Sequence, residues 1–349
     1  MKIDNLLKNM SEWLKGSGPH SNIVISSRIR SARNLADVPF TQWANKKQRD
    51  ESRKMIKSAL ESSPFLKKSN YLDMDGLSDI DKQFLVERHL MSREHASTPD
   101  SKALLFDDKE IVSIMVNEED HIRMQVMQSG FNLTEAWRIA NEIDNDLSAR
   151  LNFAYSEKIG YLTACPTNAG TGVRASMMLH LPALMLTNQA NKLLQTISKL
   201  GLTARGFYGE GTDVQGNFFQ VSNQVTLGRT EEEIIDNIER VISQIIAREE
   251  AARKTLLMRS KEKLVDRIWR SYGTLRSAHI ITSNETIELL SDIRLGIDMD
   301  IIKDITTAGI NDLFVLTQPA HLQKMEKKSL SASERDLKRA ELIRKRLSK

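Results

Sequence analysis

A single cysteine, Cys165, stands in 349 residues, which excludes an internal disulfide and fits a reducing compartment. No run of 18 apolar residues occurs, so no membrane-spanning helix is expected. The chain has no H-E-x-x-H and no Cys/His spacing suited to a resident transition metal, and no segment matches the G-x-x-x-x-G-K-[ST] phosphate loop. Aromatic residues are scarce, at 5%, and none interleaves with the basic C-terminal tail, so direct nucleic-acid binding is not expected. Internal repeats and low-complexity linkers are absent. The opening MKIDNLLKNMSEWLKG carries acidic side chains and lacks the apolar core of a secretion signal. It reads as a short amphipathic helix, and a cytoplasmic location is expected.

What is present describes an ordinary globular chain, 40% hydrophobic and 28% charged, long enough for two domains. The net charge of +4 is local. Residues 322–349 hold ten Lys/Arg and four Asp/Glu, a net of +6, leaving the rest near −2. Such a tail reads as a solvated helix face.

Apolar, β-branched residues 23–27 predict a strand, and 45–61 a helix that stops before Pro64. Strands are expected at 103–107 and 110–117 around an Asp107-Asp108-Lys109 turn. Asn132 with Glu135 has capping-box spacing for a helix through about Leu151. A strand at 159–164 is expected to run into the Cys165 segment, with a helix following it. Further expectations are a helix from about 188 to Gly201, a strand at 217–227, and a long helix from the Thr230/Glu233 box to about 258. Beyond that, helices are expected at 262–272, 284–295, 299–307 and 332–347, the last capped by Ser331 with Glu334 or Ser333 with Asp336. The only strand-like run there is Leu313–Leu316. The texture divides the chain near 255, into a mixed α and β part (1–255) and a mainly helical part (256–349).

The most informative stretch is Cys-Pro-Thr-Asn-Ala-Gly-Thr-Gly-Val-Arg at 165–174. Its small residues and two glycines are those of a turn whose N–H groups form an anion-holding concavity, and Arg174 adds a guanidinium fork. Three more segments stand in order: Val-Ile-Ser-Ser-Arg-Ile-Arg at 24–30, Val-Asn-Glu-Glu-Asp-His-Ile-Arg at 116–123, and Arg-Gly-Phe-Tyr-Gly-Glu at 205–210. Arg28 and Arg30, at i and i+2, share one face of a strand.

Together these segments resemble the ATP:guanidino phosphotransferases, the family of arginine and creatine kinases. The short stretch before the Ser-x-Arg-x-Arg strand, the extra helical C-terminal part, and Arg335-Asp-Leu-Lys-Arg339-Ala340 are similar to the bacterial protein-arginine kinases of the McsB type. The resemblance implies an α+β fold: a guanidino-kinase catalytic domain with an antiparallel sheet flanked by helices, then a mainly helical C-terminal domain. It implies ATP as phosphoryl donor with Mg2+ held by the nucleotide. Matching positions make Ser26, Ser27, Arg28, Ile29, Arg30, His89, Arg123, Arg174, Ala175, Ser176, Met177, Met178, Arg205, Gly206, Phe207, Tyr208 and Gly209 the nucleotide-binding set. The five arginines are its phosphate clamp. Glu119 and Glu210 match the carboxylates that hold a substrate guanidinium, and Cys165 the thiol that touches it. A buried hydrophobic cysteine and a structural His89 are the alternative readings of those two positions. His121 reads as structural. Glu118 and Asp120 fit either alignment of the motif or contact with hydrated magnesium. Ala169, Met178 and Tyr208 depart from the small-molecule kinases' pattern.

Arg335, Asp336, Arg339 and Ala340 match a regulatory phosphoarginine pocket, with an exposed basic helix as the plainer reading. The activity implied is phosphorylation of arginine side chains in proteins, including self-phosphorylation. A stress-gene repressor would be one substrate, marked proteins would pass to a Clp-type protease, a small zinc-binding protein would act as activator, and the C-terminal part would form a homodimer. A free-arginine kinase and a catalytically silent phosphoarginine-binding module are the competing readings.

Overall fold

The computed structural model describes residues 3–98, 100–206 and 215–348, with Asn191 described in its backbone alone. Ten strands and twelve α-helices follow in this order: β1 (Val24–Arg33), α1 (Lys46–Ser62), β2 (Ser69–Asp73), α2 (Asp79–Glu87), α3 (Arg93–Ser97), β3 (Ala103–Asp107), β4 (Val112–Val116), β5 (Ile122–Ser129), α4 (Leu133–Ser148), β6 (Tyr155–Ser156), β7 (Gly160–Tyr161), β8 (Val173–His180), α5 (Pro182–Leu186), α6 (Ala190–Lys199), β9 (Leu202–Gly206), β10 (Phe218–Asn223), α7 (Glu231–Arg259), α8 (Lys261–Ser277), α9 (Ser283–Asp298), α10 (Thr307–Leu316), α11 (Pro319–Glu326) and α12 (Ala332–Leu347). Eight strands form one antiparallel sheet in the order β2-β3-β4-β5-β1-β8-β10-β9.

Strand side chains alternate between faces, and the two faces differ sharply here. On one, Ile29, Met124, Val126, Ala175, Met177 and Val221 enter a core with α1, α4 and α7. α7 supplies Ile234, Ile238, Val241, Ile242 and Ile245, an i, i+3/i+4 stripe opened by the Thr230/Glu233 capping box. The other face has apolar ends and a polar middle. At one end Met127 and Phe218 pack against the C-terminal helices, with Leu290, Ile293 and Phe314. At the other Leu104, Phe106 and Met115 pack with Phe84 and Leu85 of α2.

The C-terminal helices are bolted to the sheet part. Glu87, at the end of α2, accepts from the N–H groups of Ala320 (2.8 Å) and His321 (3.0 Å), capping α11. Arg294 of α9 donates to the Ser21 carbonyl. The texture change expected near 255 falls inside α7, which runs unbroken to Arg259.

Several expectations are corrected. Residues 173–180 form a strand, not a helix, because Val173, Ala175, Met177 and Leu179 face the core at period 2. The strand expected at 159–164 shrinks to β7, since Ala164 N–H is taken by a side chain. The opening segment forms two 3-10 turns, Ile3–Lys8 and Glu12–Leu14. Asn132 makes no side-chain cap; its own N–H donates to Ser27 Oγ, while Glu135 pairs with Arg138. Residues 313–316 are the end of α10, and 299–306 are turn and coil. Ser331 with Glu334 makes the cap of α12.

Candidate functional site

The pleat and the register together build the polar middle of the sheet. Arg30 lies opposite Gln125 of β5 and Arg174 of β8; Arg28 lies opposite Met127 and Ser176; Arg205 lies opposite Gln220 of β10. Arg123, opposite Ala32, projects from the same face. Arg28, Arg30, Arg123, Arg174 and Arg205 all line one cavity of about 920 Å³. Its far wall comes from the C-terminal helices, through Ser283, Asn284 and Ile287 of α9 and Gln318 and Gln323 at α11.

Like charges directly across a sheet repel, so the arrangement costs stability. Among the described residues Arg28 reaches only Ser176 Oγ (3.4 Å) and Gln125 Oε1 (3.5 Å), and Arg174 reaches Ser222 Oγ (2.9 Å). Arg30 Nε is buried with no partner among the described residues. None of these three makes an ion pair among the described residues. Burial, then Arg123 and Arg174, pull the pKa of Arg28 down to about 9; burial and the neighbouring arginines push Arg30 well below its usual range. Arg174 moves down through burial, then Arg205 and Arg123. Guanidinium stays charged at neutral pH, so these shifts express crowding of fixed cations that a polyanion would relieve. His89, with φ +59°, lines the same cavity, and its ring stands edge-on to Trp13 at 5.2 Å. Burial and then Arg28 lower its pKa to about 4, so the imidazole is neutral.

The acidic motif is the turn between β4 and β5. Asn117 takes the left-handed conformation (φ +57°) and its N–H closes the turn on the His121 carbonyl at 2.9 Å. Glu118 is buried and bound by Ser92 Oγ and Arg123. Asp120, also buried, accepts from Asn34 Nδ2 (2.6 Å) and from Ala164 N–H (2.7 Å). Asn34 Oδ1 in turn accepts from His121 N–H (3.0 Å), and His121 Nδ1 accepts from Leu35 N–H (3.1 Å). Asn34 therefore rivets three segments, the end of β1, the acidic turn and the stretch before Cys165. Glu118 and Asp120 are thus spent on protein donors.

Glu119 makes no hydrogen bond or ion pair among the described residues. It faces a second cavity of about 560 Å³, lined also by Glu94, Lys102 and Glu118. Arg123 and Glu94 line both cavities, so the two adjoin. Burial, then Asp120, raise the pKa of Glu119 against the pull of Arg123. Burial opposes the charge of Arg123, but Glu118, Glu119 and Glu94 outweigh it and raise its pKa.

The decapeptide at 165–174 does not form the expected anion cradle. The N–H groups of Asn168, Ala169, Gly170 and Thr171 donate to the carbonyls of Cys165, Pro166, Tyr161 and Thr226. Gly170 (φ +102°) is required by close approach: a Cβ there would meet the Thr226 carbonyl oxygen at 2.6 Å. Cys165 Sγ lies 3.0 Å from Thr167 Oγ1 and lines neither cavity, although Ala164 before it is tied to Asp120.

Other expected site residues divide by face. Ile29, Ala175 and Met177 point into the opposite core, and Ser27 Oγ donates to the Gly130 carbonyl; their side chains do not reach the cavity. Ser26 lies opposite Met178, which packs toward the C-terminal helical core; Ser176 is under Arg28; Gly206 lies opposite Phe219. Phe207, Tyr208, Gly209 and Glu210 lie outside the described residues. Sequence reasoning missed Gln125, Gln220, Ser222, Glu94 and the C-terminal wall. The first of these was legible, two residues from Arg123 on the same strand face.

On α12 the two arginines differ. Arg339 is 1% exposed, and it donates to the carbonyls of Thr317 (2.8 Å) and Ile281 (2.9 Å) and to Asp336. Arg335 is half-buried and donates to the Leu330 carbonyl at 2.8 Å; Ala340 is in the core. Arg339 thereby pins α12 to the segments that open α9 and α11.

Comparison with known proteins shows the family. Residues 51–252, more than half of the chain, match the model of the ATP:guanido phosphotransferase C-terminal catalytic domain, and residues 261–349 match the protein-arginine kinase McsB C-terminal domain. The chain is 50% identical to a protein-arginine kinase of Halothermothrix orenii over the whole of both chains. It is 47% identical to one of Desulforamulus reducens, covering 97% of this chain and 96% of that one. Among solved structures, the duplicated taurocyamine kinase of Schistosoma mansoni superposes with a TM-score of 0.59 at 27% identity, over 71% of this chain and 38% of that one. This chain belongs to the ATP:guanido phosphotransferase family, with the C-terminal domain of its protein-arginine kinases.

Proposed function

We propose that the protein transfers the γ-phosphoryl group of ATP to arginine side chains of proteins. The observation that carries this reading is the adjacency, across Arg123, of a cavity where five arginines converge, Arg28, Arg30 and Arg174 making no ion pair among the described residues, and a cavity holding Glu119, the carboxylate of the acidic turn that has no partner among those residues. In this reading Arg28, Arg30, Arg123, Arg174 and Arg205 hold the phosphates, where bidentate guanidinium contacts neutralise the charge of the transferring group. His89, Ser26, Ser176, Met178 and Gly206 complete the nucleotide side, with Phe207, Tyr208 and Gly209. Glu119, with Glu210, orients the acceptor guanidinium. One of its nitrogens attacks the γ-phosphorus, the N–P bond forms as the bond to the β-phosphate oxygen breaks, and ADP leaves. Glu119 is placed to take the guanidinium proton, its raised pKa suiting it to that task. Cys165 assists from the loop tied to Asp120. Mg2+ arrives on ATP, held by phosphates and water, since Glu118 and Asp120 are engaged and no metal-holding cluster exists among the described residues.

The same reading keeps Arg335, Asp336, Arg339 and Ala340 as a regulatory phosphoarginine pocket. Arg335 is its accessible member, and the ligand competes for the Asp336–Arg339 contact. A cytoplasmic enzyme dimerising through residues 256–349, activated by a zinc-binding protein, acting on a stress-gene repressor and feeding a Clp-type protease, follows from the resemblance. The test is incubation with ATP and an arginine-containing protein. An acid-labile, base-stable phosphate mapped to arginine by mass spectrometry is expected; phosphate on free arginine alone overturns the reading.

A further inference from the structure

The Glu119 cavity has an acidic wall, and an aromatic pair flanks its lining residue Gln42 in the chain. Glu94, Glu118 and Glu119 line it with Lys102 and Arg123; Arg123 is paired with Glu118, and the ammonium of Lys102 is donated to the Glu94 carbonyl (3.2 Å) and Thr98 Oγ1 (2.8 Å), which leaves the carboxylates of Glu94 and Glu119 without an ion pair among the described residues. Gln42 marks the rim, and the next residue, Trp43, is 78% exposed, against 2% for Trp13 and 45% for Trp269. A single exposed apolar side chain needs no explanation. Trp43, however, is held in place. Its ring stacks on Phe40 with 12° between planes and 6.1 Å between centroids, and Phe40 stands edge-on to His121 at 6.4 Å. The N–H groups of Trp43 and Ala44 both donate to the Phe40 carbonyl, at 2.8 and 3.0 Å. His121 is two residues from Glu119 and is itself riveted through Leu35 and Asn34. The indole is therefore a rigid ledge, mechanically tied to the acidic turn, with its outer face in solvent.

We infer that the Phe40–Trp43 ledge docks the polypeptide carrying the acceptor arginine, an extended segment whose neighbours lie on the indole while its guanidinium enters the Glu119 cavity. Charge complementarity selects this occupant: the acidic wall favours a cationic side chain, and a flat aromatic face binds peptide planes, aliphatic stems and cations alike. The inference rests on the function proposed above and deepens it, since a free amino acid has no flanking residues to use the ledge.

The test is steady-state kinetics of the full chain with a synthetic peptide bearing one arginine between glycines and serines. Trp43→Ala is expected to raise the peptide KM about tenfold, the scale of one lost aromatic contact, with kcat, the ATP KM and the melting temperature unchanged. Trp43→Phe is expected to recover most of the loss. A peptide KM that stays at the wild-type value, or an ATP KM that moves with it, overturns the inference alone. Wild-type protein that phosphorylates no peptide overturns the proposed function and the inference with it.

Discussion

Arginines of the sheet and arginines of the helical part stand in opposite circumstances. Arg28, Arg30 and Arg174 crowd together on one sheet face and meet neutral hydroxyl and amide oxygens in place of carboxylates, with Arg30 Nε left unpartnered among the described residues. Arg339 on α12 is more deeply buried, yet its fork is matched by two carbonyls and a carboxylate. Arg33 behaves like Arg339, with Asp144 and the carbonyls of Ala32 and Thr171 around it and Tyr161 beneath its fork at 3.5 Å. The matched pair is the more buried one; what marks the sheet group is unspent donors among like charges. A cation held without a counter-ion beside other cations is a device for binding an anion, whereas a cation matched by a carboxylate and carbonyls of several segments is a device for joining them.

The largest test of that contrast is Arg174→Ala. Loss of a cation that neutralises a transferring phosphoryl is expected to lower kcat/KM by roughly 10³ or more. The melting temperature should hold or rise, because a repulsion is removed. A variant that melts several degrees lower yet retains activity would place Arg174 with the structural group. Next is Glu119→Gln, which should lower kcat by roughly 10²–10⁴ while ATP affinity stays the same. The carboxyl works as a base only when ionised, and burial with Asp120 raises its pKa. Wild-type activity should therefore fall on acidification with a midpoint above the ordinary value of about 4.3, and that limb should be missing from the variant. An identical acid limb in both would remove Glu119 from the role. Smallest is Arg339→Ala, expected to cost about 2–3 kcal/mol in denaturant unfolding, as carbonyl acceptors lose buried donors. Basal turnover should change only several-fold. Collapse of phosphoryl transfer without loss of stability would dissolve the distinction between the two sets.

Where the chain was legible, one physical rule governed. Arg28 and Arg30 at i, i+2 on a β-branched run had to share a face, and the Thr230/Glu233 box had to open a helix. Where it was not, a short apolar run suited two structures. Val173–His180 and Thr307–Leu316 carry similar apolar content, and neighbours decided between them: β1 and β10 flank the first, while α9 packs on the second. Asn132 makes no capping box with Glu135: the N–H that Glu135 would take goes to Ser27 Oγ, more than a hundred residues away in sequence, and Glu135 pairs with Arg138. The decapeptide looked like an anion cradle because glycine permits one; its N–H groups went to Tyr161 and Thr226 instead, which only the folded chain brings near.

The amino-acid order alone determined which charges exist, on which side of each strand they project, and which four segments resemble a known family, because side-chain chemistry and the two-residue period of a strand are local properties. Tertiary structure decided which of those charges remain unpaired. Three carboxylates in a row look alike as letters. Asn34 and Ala164 claim Asp120, Ser92 and Arg123 claim Glu118, and Glu119 is left open among the described residues, since hydrogen bonds between distant segments form only once the sheet has set their positions.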